Sequence, residues 1–255
     1  MTIVDSIILG IVEGVTEFLP ISSTGHLILA SVLLGISQSD FVKSFEIIIQ
    51  LGAICSVIVL YGKSFLNGAI LKKIIIAFVP TGIIGLALYT IVKTYLIGSQ
   101  AVVLWALFIG GAALIIFELW HREAENAAGS IEGISYGQAF WIGVCQSIAV
   151  IPGVSRSGAT ILGGLFAGLA RKTIVEFSFL LAVPTMLAAS GLDLVKNADA
   201  FSQDQFGILA IGFIVSFIVA MASIKFLLGF IKKNTFIPFG IYRILLALIF
   251  WFVIY

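Results

Sequence analysis

The sequence predicts an all-α integral membrane protein with about six transmembrane helices and two re-entrant helix pairs, arranged as an inverted repeat. The 255-residue chain is 60% hydrophobic and 11% charged, with a mean hydropathy of +1.19. A soluble domain is nearer half apolar and about a quarter charged. Several apolar stretches reach the roughly 20 residues that a helix needs to cross a bilayer. Two others are broken in the middle by Pro, Gly, Ser and Thr.

The composition also excludes other classes of protein. A net charge of +1 gives no basic field for nucleic acid. Cys55 and Cys145 lie in separate apolar runs without ligand-like spacing, so we expect packed thiols. Asp5 interrupts the first apolar run, and no Lys or Arg precedes it, which argues against a cleaved signal peptide. Residues 1–255 are expected to form a single integral membrane domain.

The elements follow in order along the chain. Each half of a broken region is about 10–17 residues long, which is mostly too short to span a bilayer. A re-entrant pair typically consists of one helix, a polar turn and a second helix that returns to the same side. Irregular backbone at that depth survives only when it is buried in protein or lines a wet cavity. The broken regions are 2–36 and 134–170, and the expected spans are 44–61, 74–93, 101–119, 175–194, 206–228 and 237–254.

The two broken regions resemble each other when the chain is shifted by 133 residues. The aligned pairs are Gly10 with Gly143, Glu13 with Gln146, Ser22 with Ser155, Thr24 with Ser157, and Gly25 with Gly158. This order indicates a duplication with halves near 1–120 and 134–255. The alternative is two unrelated Ser/Gly loops in a low-complexity membrane chain.

Counting the spans predicts the orientation. With the N-terminus outside, eight loop Lys and Arg residues lie inside and three outside, which fits the positive-inside rule. Three crossings separate the broken regions, so they enter from opposite faces and their polar tips meet near the midplane. The inside set is Lys63, Lys72, Lys73, Arg122, Arg171, Lys172, Lys232 and Lys233, and the outside set is Lys43, Lys93 and Lys196.

The first tip carries two glutamates and a serine–histidine pair. Glu13 and Glu17 share one helix face, and burying both carboxylates requires a cation, a proton or an arginine. A divalent ion such as Mg²⁺, bridged to a phosphate, would suffice; alternatively, one is protonated and the other is exposed at the interface. Ser23 and His26 are the minimum for an activated nucleophile, although the hydroxyls here, including Ser22 and Thr24, could also be helix caps.

The second tip reads PGVSRSGAT, residues 152–160. Ser155 and Ser157 flank Arg156, and Thr160 follows one turn later. A guanidinium among hydroxyls and glycines at a helix start favours phosphate oxygens. The alternative is that Arg156 merely neutralises the acidic pair of the first tip.

Together these groups suit a phosphate or diphosphate on a lipid tail, because a metal and an arginine neutralise charge on a transferred phosphoryl group. The rival hypothesis is a lipid-phosphate flippase or anion transporter, since inverted repeats with broken helices are a transporter design. The Ser23–His26 pair favours hydrolysis, which needs a base and an activated nucleophile or water.

The segments EGVTEFLPISSTGH (13–26) and PGVSRSGAT resemble the undecaprenyl-diphosphate phosphatases of the bacitracin-resistance type, and the resemblance covers nearly the whole chain. It implies a multi-pass bacterial inner-membrane enzyme, open to the outer side, that removes one phosphate from undecaprenyl diphosphate. The product is the carrier for peptidoglycan assembly. It also implies a divalent metal, with Mg²⁺ or Ca²⁺ the expected ion.

The resemblance also implies site residues. Glu13 and Glu17 match the acidic pair that holds the metal, and Glu17, Ser23, His26 and Arg156 form the expected catalytic set. Ser23 either forms a phospho-enzyme or orients phosphate or water, His26 is the general acid/base, and Arg156 binds phosphate. The hydroxyls expected near phosphate are those of Ser22, Thr24, Ser155, Ser157 and Thr160.

Several polar residues remain open at this point. Glu46 and Gln50 either extend the site or form a plain helix-end pair, and Arg243 is a candidate counter-charge within the last span. Glu118 is expected in a solvated linker, together with His121, Arg122, Glu123, Glu125 and Glu132. The expected partners are a polyprenyl diphosphate and membrane lipid, without nucleic acid. The oligomeric state is open, with a homodimer as one option.

Overall fold

The computed structural model describes residues 1–37, 39–96, 99–121, 129–196 and 205–254, and their regular structure is helical. The α-helices are α1 Ile3–Thr16, α2 Ser23–Leu33, α3 Asp40–Phe65, α4 Gly68–Ile91, α5 Gln100–Trp120, α6 Tyr136–Ser147, α7 Arg156–Phe166, α8 Arg171–Lys196, α9 Phe206–Phe230 and α10 Ile237–Ile254. A π-helical turn, Val92–Leu96, follows α4, and 3₁₀ turns Ile131–Gly133 and Ile148–Val150 flank α6.

These helices confirm an all-α integral membrane protein. By length and composition, α3, α4, α5, α8 and α9 are long and apolar enough to cross a membrane. The sixth expected span coincides with α10, whose described side chains form a shorter apolar stretch, Ile237–Phe252. In the two broken regions the helices are short, with 14 and 11 residues in α1 and α2 and 12 and 11 in α6 and α7.

Each broken region turns back at a serine that caps its second helix. Ser22 accepts a hydrogen bond from the Gly25 amide at 3.4 Å, and Ser155 accepts one from the Gly158 amide at 3.0 Å. Such caps satisfy amides that a helix start leaves unpaired. Ser22 has a φ of 73°, a left-handed conformation that costs energy for a residue with a Cβ. The first turn is therefore held in place by its surroundings.

The first short helix of each broken region packs against a long helix from the other half of the chain. In the first region α1 packs on α9, in the second region α6 packs on α4, and α5 pairs with α10. Both contacts use a glycine: a Cβ on Gly10 would lie 2.9 Å from the Gly212 carbonyl oxygen, and one on Gly143 would lie 1.9 Å from that of Ala77. A duplicated chain would produce this exchange, and the inverted repeat itself stays a prediction.

Loops expected on the inner side lie on one face of the molecule. Lys73 is buried and donates hydrogen bonds to the carbonyl oxygens of Ile131 and Glu132. The α3–α4 loop is therefore on the same side as the segment that precedes α6, as the crossing count requires. Which side of the membrane this face occupies stays a prediction.

The expectation of a solvated linker is wrong for Glu118. Its buried carboxylate accepts hydrogen bonds from Arg171 at 2.8 Å and from the Phe236 amide at 3.0 Å. These two hydrogen bonds link the end of α5 to the starts of α8 and α10, and the Glu118 carboxylate is buried between these helix ends. The predictions for 122–128 lie outside the described residues.

Candidate active site

The two polar turns meet inside the protein. The hydroxyl of Ser157, at the start of α7, donates to the backbone carbonyl of Phe18 at 2.8 Å. The neighbouring Arg156 donates from Nη2 to Oε1 of Glu17 at 2.6 Å. Residues 139 positions apart in the chain therefore form one buried cluster, and the two sequence motifs belong to a single site.

Glu17 lies at the centre of this cluster. While Oε1 accepts from Arg156, Oε2 accepts from the Ser23 hydroxyl at 2.5 Å. The carboxylate is buried, and an ionised carboxylate is an acceptor at both oxygens, so these two bonds suit its charged form. Glu17 thus connects the serine of the first turn to the arginine of the second.

Glu13 has a different environment from Glu17. It is 0% exposed, and within the described ranges no N–H or hydroxyl group donates to its carboxyl oxygens, which lie close to the carboxyl group of Glu17. The carboxyl groups of Glu17 and Glu46 repel its charge, and Arg156 attracts it. A buried acceptor without a partner is costly, and a buried charge more so. Glu13 therefore has free oxygens where a cation or a proton would stabilise them.

The divalent cation expected at Glu13 and Glu17 stays a prediction, for which Glu13 offers suitable oxygen chemistry. Mg²⁺ and Ca²⁺ prefer oxygen ligands, and Mg²⁺ commonly takes one or two carboxylates and completes its shell with water and substrate phosphate. Among the described residues, no group of three or more His, Cys, Asp and Glu side chains could hold a metal. An ion at Glu13 would therefore need water and substrate phosphate as its other ligands, because both oxygens of Glu17 already accept hydrogen bonds.

Arg156 is held on two sides, by a backbone carbonyl and by an aromatic ring. Its Nη1 donates to the Ser178 carbonyl at 3.0 Å, and its guanidinium carbon lies 5.8 Å from the centre of the Phe18 ring. Its Nε is buried without a partner in the described part of the chain. The structure thus shows the pairing of Arg156 with Glu17, while its contact with phosphate stays a prediction.

The hydroxyls of the second turn are engaged with the protein. Ser155 caps α7, Ser157 bonds the first turn, and Thr160 donates to the carbonyl of Arg156 at 2.7 Å. In the first turn Ser22 caps α2, whereas Thr24 is exposed. These contacts hold the turns together, and phosphate binding by these five residues stays a prediction.

His26 does not form the hydrogen bond with Ser23 that a tight turn would allow. Its Nδ1 lies 2.7 Å from the Ser22 carbonyl oxygen, and its Nε2 lies 2.8 Å from the Tyr242 hydroxyl. Ser23 donates to Glu17 instead, because a carboxylate is the stronger acceptor. In this structure the group positioned to take a proton from Ser23 is therefore Glu17.

Known proteins resemble this chain along almost its full length. The sequence profile of a family described as "Bacitracin resistance protein BacA" matches residues 6–249. The chain belongs to the BacA family. Relatives of this BacA-family chain named undecaprenyl-diphosphatase include one from a Sulfurihydrogenibium species, 53% identical over 251 residues that cover 98% of this chain and 99% of the relative. Those from Persephonella marina and Aquifex aeolicus are each 52% identical, covering 98% of both chains.

Sequence reasoning underestimated one residue of this BacA-family chain, Arg243. It is 2% exposed and donates to the carbonyl oxygens of Pro20 at 3.2 Å and Gly153 at 3.2 Å. Two further bonds reach Leu107 at 3.3 Å and Ala106 at 2.9 Å in α5. Arg243 therefore ties both turns to α5 and α10. The sequence signal was an arginine inside an apolar span, which is costly unless it has partners.

An apolar groove of about 780 Å³ lies beside the second turn, between α5, α6 and α7. Trp105, Trp141 and Phe166 line it, with Ser155 and Arg243 at its polar part. The acidic and histidine side chains of the cluster do not line it. The groove therefore adjoins the site at Ser155 and Arg243, while the acidic and histidine side chains lie outside it.

Proposed function

We propose that this protein is a membrane phosphatase that hydrolyses undecaprenyl diphosphate to undecaprenyl phosphate and inorganic phosphate. This activity recycles the lipid carrier for peptidoglycan synthesis and gives bacitracin resistance. Relatives about half identical over nearly the whole chain carry the name undecaprenyl-diphosphatase, which does not favour the transporter alternative. The observation that carries the proposal is that Glu17 binds both Ser23 and Arg156.

Arg156 would bind the diphosphate. Its Nε has an unused donor, and its Nη2 can exchange the Glu17 carboxylate for a phosphate oxygen. A guanidinium fork matches two phosphate oxygens, and it stabilises the negative charge that is spread over the transferred phosphoryl group. The Phe18 ring and the Ser178 carbonyl keep the fork in place.

Glu17 would act as the proton acceptor. When Arg156 turns to the substrate, the carboxylate remains 2.5 Å from the Ser23 hydroxyl. Either a water that this hydroxyl orients attacks the terminal phosphorus and passes its proton to Glu17, or the hydroxyl itself attacks, passes its proton to Glu17 and forms a phosphoserine that a water then hydrolyses to inorganic phosphate. The bond from that phosphorus to the bridging oxygen breaks, and undecaprenyl phosphate leaves. His26 would serve as the general acid/base of the cluster through Nε2, because its partner there, the Tyr242 hydroxyl, can donate or accept, whereas Nδ1 is bonded to the Ser22 carbonyl, which can only accept.

Glu13 would hold the divalent cation, with Mg²⁺ or Ca²⁺ the expected ion. When bound, such an ion neutralises charge on phosphoryl oxygens. The support for this assignment is that Glu13 has two buried oxygens without partners, next to a carboxylate that is already paired. With the ion bound, the Glu13 carboxylate would be ionised and would balance part of the charge of the ion.

The site is proposed to open to the outer side of the bacterial plasma membrane, between two inverted halves of one domain. The excess of Lys and Arg in the loops assigned to the inside supports this orientation. The prenyl chain would stay in the bilayer while the diphosphate enters the cluster. A polyprenyl diphosphate and surrounding lipid are thus the proposed partners.

The test is phosphate release from undecaprenyl diphosphate by purified protein in detergent, with added Mg²⁺ and with a chelator. We expect release by the wild type that the chelator removes, and a loss of at least about a hundredfold in Arg156→Ala, since electrostatic groups of this kind contribute that much. Lys232→Ala, which changes an exposed cation in the α9–α10 loop, is the matched control. No release by well-folded wild-type protein with any divalent ion would refute the proposal.

A further inference from the structure

Tyr242, on α10, covers His26 and bonds to it. The Tyr242 hydroxyl lies 2.8 Å from Nε2 of His26. The two rings are stacked, with centroids 5.5 Å apart and planes 7° from parallel. One side chain therefore controls both the outer nitrogen of the imidazole and one of its faces. No sequence motif pointed to this residue.

The remaining contacts of the imidazole define where its protons are. The Ser22 carbonyl, 2.7 Å from Nδ1, can only accept a hydrogen bond, so Nδ1 carries a proton. In the neutral ring, Nε2 then has the lone pair and accepts from the Tyr242 hydroxyl. When Nε2 is protonated, it donates to the same oxygen. Both states keep their hydrogen bonds without rotating the ring.

The backbone around Tyr242 is anchored to the site. The next residue, Arg243, donates to carbonyl oxygens in both turns, at Pro20 and Gly153. The helix that carries Tyr242 is thus fixed to the turn that carries His26. Tyr242 itself is 43% exposed, so it lies at the border of the cluster.

We propose that Tyr242 is a positioning residue for His26, holding the imidazole so that Nε2 alone exchanges protons during phosphate release. This inference rests on the proposed function. An acid/base group is efficient when a neighbouring group fixes its tautomer and orientation, and a small displacement lowers the rate. The Tyr242 hydroxyl fixes the imidazole at Nε2, and the Ser22 carbonyl fixes it at Nδ1.

The first experiment compares Tyr242→Phe, Tyr242→Leu and the wild type in phosphate release. Tyr242→Phe keeps the stacked ring and removes one hydrogen bond, so we expect kcat to fall about tenfold with KM changed by less than about twofold. Tyr242→Leu also removes the aromatic contact, and kcat should fall about a hundredfold. The control is Tyr136→Phe, which removes the hydroxyl of an exposed tyrosine on α6.

The second experiment observes the imidazole directly. The chain has two histidines, so ¹⁵N-histidine labelling in a His121→Gln background leaves the signals of His26 alone. At a pH where the ring is neutral, the spectrum should show a protonated Nδ1 and a hydrogen-bonded Nε2. In Tyr242→Phe, the Nε2 resonance should move toward the position of an unbonded nitrogen.

The outcomes separate the inference from the proposed function. Active wild-type protein with unchanged kcat in Tyr242→Phe, a loss confined to KM, or an Nε2 signal that does not move would each overturn the role of Tyr242. Wild-type protein that releases no phosphate would overturn the proposed function, while the spectra would still report whether Tyr242 holds the ring.

Discussion

Replacing Arg243 should loosen both turns at once. In Arg243→Met, four hydrogen bonds to carbonyl oxygens are lost. Two of the acceptors lie within α5, where helix hydrogen bonds remain, so the loss falls mainly on Pro20 and Gly153 in the turns. Each buried carbonyl without a partner costs about 1–3 kcal/mol. The sum is about 2–6 kcal/mol, reduced by the burial cost that the guanidinium no longer incurs.

Thermal unfolding in detergent measures this loss. Cys55 and Cys145 are free and partly buried, so their labelling by a thiol-reactive dye on heating reports unfolding. A loss of 2–4 kcal/mol corresponds to a Tm lower by about 5–15 °C for a chain of this size. Arg243→Lys, which keeps the charge but has fewer donors, should lie between the variant and the wild type. Lys225→Met, at an exposed lysine on α9, is the control.

Phosphate release should fall together with Tm in Arg243→Met, because the turns carry Ser23 and Arg156. If Arg243→Met retains the Tm and kcat of the wild type, the carbonyl contacts do not hold the turns, and the reasoning is wrong. If Lys225→Met lowers Tm equally, loss of any cation from these helices is sufficient, and the effect is not specific to Arg243.

Three further predictions concern the acid, the contact between the turns and the helix packing. Glu13→Gln should reduce the stimulation of phosphate release by divalent ions, measured as the Mg²⁺ concentration for half-maximal rate; an unchanged titration would place the ion elsewhere. Ser157→Ala removes one hydrogen bond between the turns and should lower the free energy of unfolding by about 1 kcal/mol, with kcat within about tenfold; a loss as severe as that of Arg156→Ala would mean that Ser157 contacts substrate. Gly143→Ala places a Cβ 1.9 Å from a carbonyl oxygen on α4 and should lower Tm, whereas Gly85→Ala, with nothing within 4 Å, should not; equal Tm values would contradict the close approach of α6 to α4.

Hydropathy and turn residues were sufficient to predict the helices of this protein. The length and apolar composition of a segment determine whether its helix can cross a bilayer. Pro20 and Pro152, within polar, glycine-containing stretches, indicate the segments where a continuous spanning helix cannot form. Charged residues within apolar segments also predict the site, because a buried glutamate or arginine needs a compensating partner. This argument identified Glu13, Glu17 and Arg156 from the sequence. These arguments depend on local sequence and on the cost of burying charge.

The choice of partners could not be predicted in the same way. Spacing shows that Ser23 and His26 are neighbours on a helix, but the serine donates to Glu17, which approaches from the preceding turn. Tyr242 reaches His26 from 216 positions away. Glu118 was misassigned for the same reason, because its partners are supplied by distant segments. Tertiary geometry decides between acceptors that local sequence leaves equivalent.

We propose that the two turns form one catalytic unit through Glu17 and Arg156. The most direct measurement is kcat/KM for phosphate release in Glu17→Gln, Arg156→Lys and the double variant. Groups that act as a unit are not additive, so we predict a double variant within about twofold of the more severe single variant. Losses that multiply in the double variant would show that the two residues act independently, and would contradict the account.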